Sequence, residues 1–254
     1  MSFKNLKVER VEGELAAALT NWYPFHKRGF IKVGQKKWFL PYRYAEDGGA
    51  IYEFKIRPDD TWIVTYPRSA SICKQMRKTK RNHFLSQIIY VARNPRDVVV
   101  SWYHFQKSNT AHLGFQGTFE QFCNNFMNNH TWYSPYWEHV KEAWAMKHKK
   151  NMMFLFYEDL IKDLPGNIRK IAAFFEKSYS DEQIATLVEH LKIENFRKNP
   201  MVSQPASTNV IRPEMFIRQG MIGRWKEMFT PEIEERFNKW ITDNLKDTDL
   251  TFPS

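Results

Sequence analysis

Three short apolar runs constrain this chain more than anything else in it: Trp62–Tyr66 (WIVTY), Ile88–Ala92 (IIYVA) and Met152–Phe156 (MMFLF). Each is almost continuous and rich in β-branched or aromatic residues. A strand with one wet face alternates apolar and polar residues. A run without alternation belongs to a strand covered on both faces, as in a parallel sheet. Each run leads into polar turn residues and then a helical pattern. Strand and helix in alternation predict an α/β fold, a parallel β-sheet flanked by helices. At 254 residues, with no repeat or low-complexity linker, one domain over 1–254 is expected.

The turn after the second run, Arg93-Asn94-Pro95-Arg96-Asp97, carries a helix start. Asn94 suits the N-cap, Pro95 the first turn, and Asp97 complements the positive helix end. Further helices are predicted over Phe119–Asn128, Tyr136–His148, Asn167–Phe175, Asp181–Leu191 and Pro231–Leu245. The first sixty residues read as irregular, with a short amphipathic helix near Leu6–Leu19 and a strand at Ala50–Ile56 (AIYEFKI).

The formal net charge of +10 favours an anionic partner. The densest basic run is Lys74–Arg81 (KQMRKTKR), which is either a solvated face or a binding patch. No nucleic-acid motif accompanies it, so nucleic acid is not an expected partner. Aromatics at 16% fit either a pocket for flat, greasy ligands or an aromatic core. Cys73 and Cys123 are the only cysteines and show no metal spacing, so neither a disulfide framework nor a metal site is expected. The start, MSFKNLKVER, lacks the apolar core of a signal peptide, and no window has the apolar length of a membrane span. A soluble, cytoplasmic protein is expected.

Strand, tight turn and helix form a common phosphate grip, because turn amides and the positive helix end face the anion. The first run leads into Tyr66-Pro67-Arg68-Ser69-Ala70-Ser71, which lacks Walker spacing and so argues against an ATP-dependent kinase. It resembles the TYPKSGTTW loop of cytosolic sulfotransferases, with Arg68 for Lys and Ala70 for Gly. Arg keeps the cation, but its planar fork is not equivalent to a compact, mobile ammonium. Tyr90–Phe105 (YVARNPRDVVVSWYHF) is similar to the family's YVxRNPKDxxVSxYHF almost letter for letter. Phe154–Leu160 (FLFYEDL) resembles LFYEDM, and Phe216–Thr230 (FIRQGMIGRWKEMFT) resembles FMRKGxxGDWKxxFT.

The resemblance implies a P-loop-NTPase-like fold and sulfuryl transfer from 3′-phosphoadenosine 5′-phosphosulfate (PAPS) to a hydroxyl or amine. The acceptor would be a small molecule: a phenol, alcohol or amine. The products would be a sulfate ester or sulfamate and adenosine 3′,5′-bisphosphate (PAP). It assigns Arg68 and Ser69 to the phosphosulfate end. Arg93, Ser101, Arg218, Gln219 and Gly220 go to the 3′-phosphate, and Tyr157 goes near the adenine. Leu191 and Ile193 stand where the family often has Thr and Phe near that base. A homodimer is implied through Lys226, Thr230 and Glu235, which fit K-x-x-x-T-V-x-x-x-E with Pro231 for Val. Trp22, Tyr23, Phe25, Trp132 and Tyr133 are candidates for the acceptor pocket.

One part of the pattern is missing. The family's general base is the His of K-T-H-L-P, and no KTH occurs in this sequence. Segment 70–87 stands where relatives have a longer region, so the chain reads as a shortened sulfotransferase. His83 is the only histidine in that connection and the remaining candidate base, beside Arg68 as the other catalytic candidate. The alternative is a catalytically impaired protein that binds PAPS or PAP, or dimerises with a full-length partner. His104, His139 and His190 fall within helical matches and are expected to be structural.

Overall fold

In the computed structural model, the described residues are 5–57, 60–69, 86–108, 114–198 and 220–253. The chain begins with β1 (Val8–Arg10), α1 (Gly13–Trp22), β2 (Phe30–Val33), β3 (Trp38–Pro41) and α2 (Tyr44–Tyr52). The three strands form an antiparallel meander, with Val8 opposite Val33 and Lys32 opposite Phe39. Two expectations fail here. The stretch read as a helix near Leu6–Leu19 divides into β1 and the later α1. The strand expected at Ala50–Ile56 is instead the end of α2 and an irregular tail. The reason is tertiary: Tyr44 and Ala45 pack on Ile31, Val33 and Leu40, a contact that local alternation does not encode.

The parallel sheet forms where the three apolar runs predict it: β4 (Thr61–Thr65), β5 (Gln87–Ala92) and β6 (Met152–Phe156), in the order β4-β5-β6. Thr65 pairs with Val91, and Ala92 pairs with Phe156. Side chains alternate across the sheet; β5 and β6 are covered on both faces, whereas Ile63 of β4 is exposed among the described residues. Val64, Tyr90, Ala92 and Met152 join the main core. Ile89, Val91 and Leu155 meet Ile171 and Phe174 on the other face. That double coverage is why the β5 and β6 runs show no polar alternation.

The helices are α3 (Pro95–Ser108), α4 (Phe119–Met127), α5 (Tyr136–Ala145), α6 (Tyr157–Lys162), α7 (Leu164–Phe174), α8 (Asp181–Leu191), α9 (Ile193–Lys198) and α10 (Pro231–Leu245). A 3-10 turn covers Arg224–Glu227. Asn94 caps α3 as predicted, its Oδ1 accepting from Arg96 N–H at 3.0 Å. Thr118, Ser180 and Thr230 cap α4, α8 and α10. Each such cap stabilises by about 1 kcal/mol. The expected helix at Asn167 starts earlier, because Asp163 accepts from Gly166 N–H and Pro165 fits the first turn. No helix among the described residues is long and apolar enough to cross a membrane.

Candidate active site

Parallel pairing sends the C-terminal ends of neighbouring strands to one edge, which is where ligands bind in open α/β sheets. Residues 66–69 follow β4, residues 93–94 follow β5 and residues 157–158 follow β6. The order β4-β5-β6 makes these turns neighbours.

Arg93 is the centre of the arrangement and is 9% exposed. Its Nη1 donates to the Arg68 carbonyl at 2.9 Å, and its Nη2 donates to the Met221 carbonyl at 3.1 Å. Its guanidinium lies 4.4 Å from the centre of the Tyr157 ring. One buried arginine therefore ties the β4 turn, the β5 end, the β6 end and the 220–223 loop together. Its Nε is buried and has no hydrogen-bond partner among the described residues. Tyr136 Oη donates to the Arg93 carbonyl at 2.6 Å, which fixes the backbone from below.

Arg68 behaves differently. Its Nε donates to Ser101 Oγ at 3.1 Å, and its guanidinium lies 4.9 Å from the centre of the Phe105 ring. Its φ is +70°, a region unfavourable for any residue with a Cβ. Ser101 thus accepts from Arg68 and keeps its own proton to donate elsewhere. Next to it, Ser69 is fully buried. Its N–H closes a turn onto the Tyr66 carbonyl at 3.1 Å, and its Oγ has no partner among the described residues.

Tyr157 and Gly220 meet across the site. Gly220 has φ +63°, and a Cβ there would lie 2.7 Å from Ile193 Cδ1 and 3.7 Å from Tyr157 Oη. Only glycine satisfies both the dihedral and the space. Burial pushes the Tyr157 phenol up, and Arg93 opposes that shift.

Two buried carboxylates complete the edge. Glu158 Oε1 accepts from Asn94 N–H at 2.8 Å, and burial raises its pKa. Asp97 Oδ2 accepts from Gly223 N–H at 2.8 Å. Sequence reading missed both ties. Asp97 registered only as a helix-end charge and Glu158 only as a turn residue, because their partners are backbone amides.

A buried guanidinium with N–H groups to spare, a buried hydroxyl with no partner among the described residues and a glycine cradle have the chemistry to receive an anion such as a phosphorylated nucleotide. Residues 77–249 match the model of the sulfotransferase domain. The chain belongs to the sulfotransferase family. It is 29% identical to sulfotransferase 4A1 of Mus musculus over 255 residues, covering 80% of this chain and 86% of that one. It is 34% identical to sulfotransferase 1A1 of Mus musculus over 169 residues, covering 65% and 58%. Its fold is similar to that of retinol dehydratase in a complex with retinol and PAP. The TM-score is 0.86 at 27% identity, covering 98% of this chain and 99% of that one.

Other family-assigned positions of this sulfotransferase chain have mixed outcomes. His83, Arg218, Gln219 and the basic run Lys74–Arg81 lie outside the described residues. His139 is structural, as expected. It is 5% exposed, it shares a 2.7 Å hydrogen bond with Tyr90 Oη, and burial holds its pKa down to about 4. Lys226, Thr230 and Glu235 are exposed, and Thr230 also caps α10. Among the aromatic candidates, Tyr23 is sealed in the core and bonded to Gln106 Oε1 at 2.7 Å, whereas Phe25 is exposed. Trp132 stands edge-on to His26 at 4.8 Å, a neighbour the sequence did not suggest.

Proposed function

We propose that this sulfotransferase binds PAPS at the C-terminal edge of β4-β5-β6, in a P-loop-like arrangement, and directs its sulfuryl group to a hydroxyl or amine of a small molecule. The observation that carries this reading is the convergence on Arg93 of the β4 turn, Tyr157 and the Gly220 loop. Arg93 Nε and the Ser101 hydroxyl would hold the 3′-phosphate, with Arg218, Gln219 and Gly220 closing around it. Ser69 Oγ would meet the 5′ end, beside Arg68. Tyr157 would border the adenine. PAPS, when bound, supplies an activated sulfuryl group and leaves as PAP. The acceptor's proton needs a base, and His83 is the candidate as the only histidine between Arg68 and Arg93, although it lies too close to β5 in sequence to align with the family's KTH histidine.

The chain is proposed as one domain in which 70–87 replaces a longer family region. The alignment with the mouse 4A1 protein supports this, since it runs over 255 residues yet covers 80% of a 254-residue chain. A cytoplasmic setting fits the buried, free Cys123. A homodimer through Lys226, Thr230 and Glu235 fits their exposure.

One observation favours a second reading, a PAPS- or PAP-binding protein without turnover. Arg68, the only cation of the phosphosulfate loop, is directed onto Ser101 at the 3′-phosphate side. A titration with PAP beside a turnover assay on a panel of phenols, alcohols and amines decides. Binding with turnover supports transfer, and binding without turnover supports the second reading. No binding of PAP rejects both.

A further inference from the structure

We propose that Asp97 is a positioning residue for the 3′-phosphate end of the site: it fastens the Gly220–Gly223 loop to the first turn of α3 and so sets where that loop meets the nucleotide. The inference rests on the nucleotide-binding reading above and assigns a task to a residue that reading leaves idle.

Asp97 is 4% exposed. A carboxylate so deeply buried needs a partner. Its partner is the Gly223 amide, 126 residues away in sequence, at 2.8 Å. An acid that only complemented the helix end could do so from the surface, with no such contact. Gly223 has φ +78° and opens the 3-10 turn Arg224–Glu227, so its amide direction decides how the chain leaves the loop. Two residues earlier, Arg93 Nη2 holds the Met221 carbonyl. The loop is therefore gripped twice from the same end of α3: Arg93 donates to a carbonyl and Asp97 accepts from an amide. A single bond would let the loop swivel, whereas two fix its orientation. Asp97 itself cannot drift, because Val98 and Val99 beside it are fully buried. The neighbouring acid Glu158 cannot take over, since its carboxylate faces the Asn94 amide.

The test is calorimetric titration of the full chain with PAP and with adenosine 5′-monophosphate. The ratio of the two dissociation constants measures what the 3′-phosphate contributes. Asp97→Ala should cut that ratio roughly tenfold, weakening PAP while leaving the monophosphate within about twofold. Asp97→Asn keeps an acceptor oxygen and should recover most of the ratio. A purely structural role predicts that both nucleotides weaken together with the ratio intact, and that result overturns the proposal. So does an Asp97→Ala chain that binds both normally. If Asp97→Ala does not fold, Asp97→Glu replaces it: the buried charge stays, the acceptor moves by one methylene, and the same ratio is read. A wild-type chain that binds both nucleotides equally rejects the nucleotide-binding reading itself, a failure distinct from an unchanged ratio in the variants.

Discussion

Arg93 and Arg68 follow neighbouring parallel strands, yet they do opposite things. Arg93 is buried, stacked on Tyr157 and hydrogen-bonded to two backbone carbonyls. Arg68 is half-buried, sits at φ +70° and places its side chain on Ser101 and Phe105. Among the described residues, the proposed 3′-phosphate side is a frame held by long-range contacts. On the proposed phosphosulfate side, Arg68 is strained and its cation points back towards that frame. Among the described residues, the side proposed to recognise the nucleotide is held by long-range contacts, whereas the side proposed to activate the sulfuryl group carries an arginine in a left-handed conformation.

Substituting Arg93 is the strongest way to break this contrast. Arg93→Ala should weaken PAP by about 100-fold or more, and it should destabilise the chain by roughly 2–4 kcal/mol by leaving two carbonyls without donors. Calorimetry and urea unfolding read the two effects. Arg93→Lys should rescue little, because one ammonium cannot replace the fork.

The foundation under Arg93 can be tested by pH. His139 supports Tyr90 in β5, and its folded pKa of about 4 lies below the ordinary 6.5. Between those values the unfolded chain binds the extra proton. The stability from neutral His139 is therefore complete above about pH 6.5 and is lost as pH falls towards 4, by about 3 kcal/mol at most. Urea midpoints across that window should flatten in His139→Gln. A slope equal to wild type in that variant would show that another group controls acid sensitivity.

Gly220→Ala comes next. It forces a Cβ to 2.7 Å from Ile193 Cδ1 at a positive φ, so about tenfold weaker PAP binding is expected, at a cost of 1–2 kcal/mol. The smallest effect belongs to Arg68. Arg68→Gly relieves the left-handed strain and should raise stability by up to about 1 kcal/mol while weakening PAP only a few-fold. A loss as large as that for Arg93→Ala would erase the distinction between the two sides.

Much of this was legible beforehand. The runs at Trp62, Ile88 and Met152 marked the parallel strands; for the latter two, burial on both faces leaves a composition signal. Asn94 and Pro95 marked the start of α3, because capping is local. The N-terminal meander was not legible. Val8–Arg10 is a strand only because Phe30–Val33 lies beside it, and Ala50–Ile56 loses its strand pattern to the packing of α2. Site residues such as Arg93, Ser101 and Gly220 stood out through family resemblance, but their partners did not.

The sequence by itself determined the strand and helix vocabulary and the supply of charge: arginines at strand ends, glycines in a loop, acids at helix starts. Only the tertiary structure decided which of these meet. Arg93 holds Arg68 and Met221 through their carbonyls, and Asp97 and Glu158 hold the amides of Gly223 and Asn94. Every residue offers the same backbone groups, so no sequence pattern can mark the ones a buried side chain will choose. Parallel register makes that choice by bringing distant turns to a single edge of the sheet.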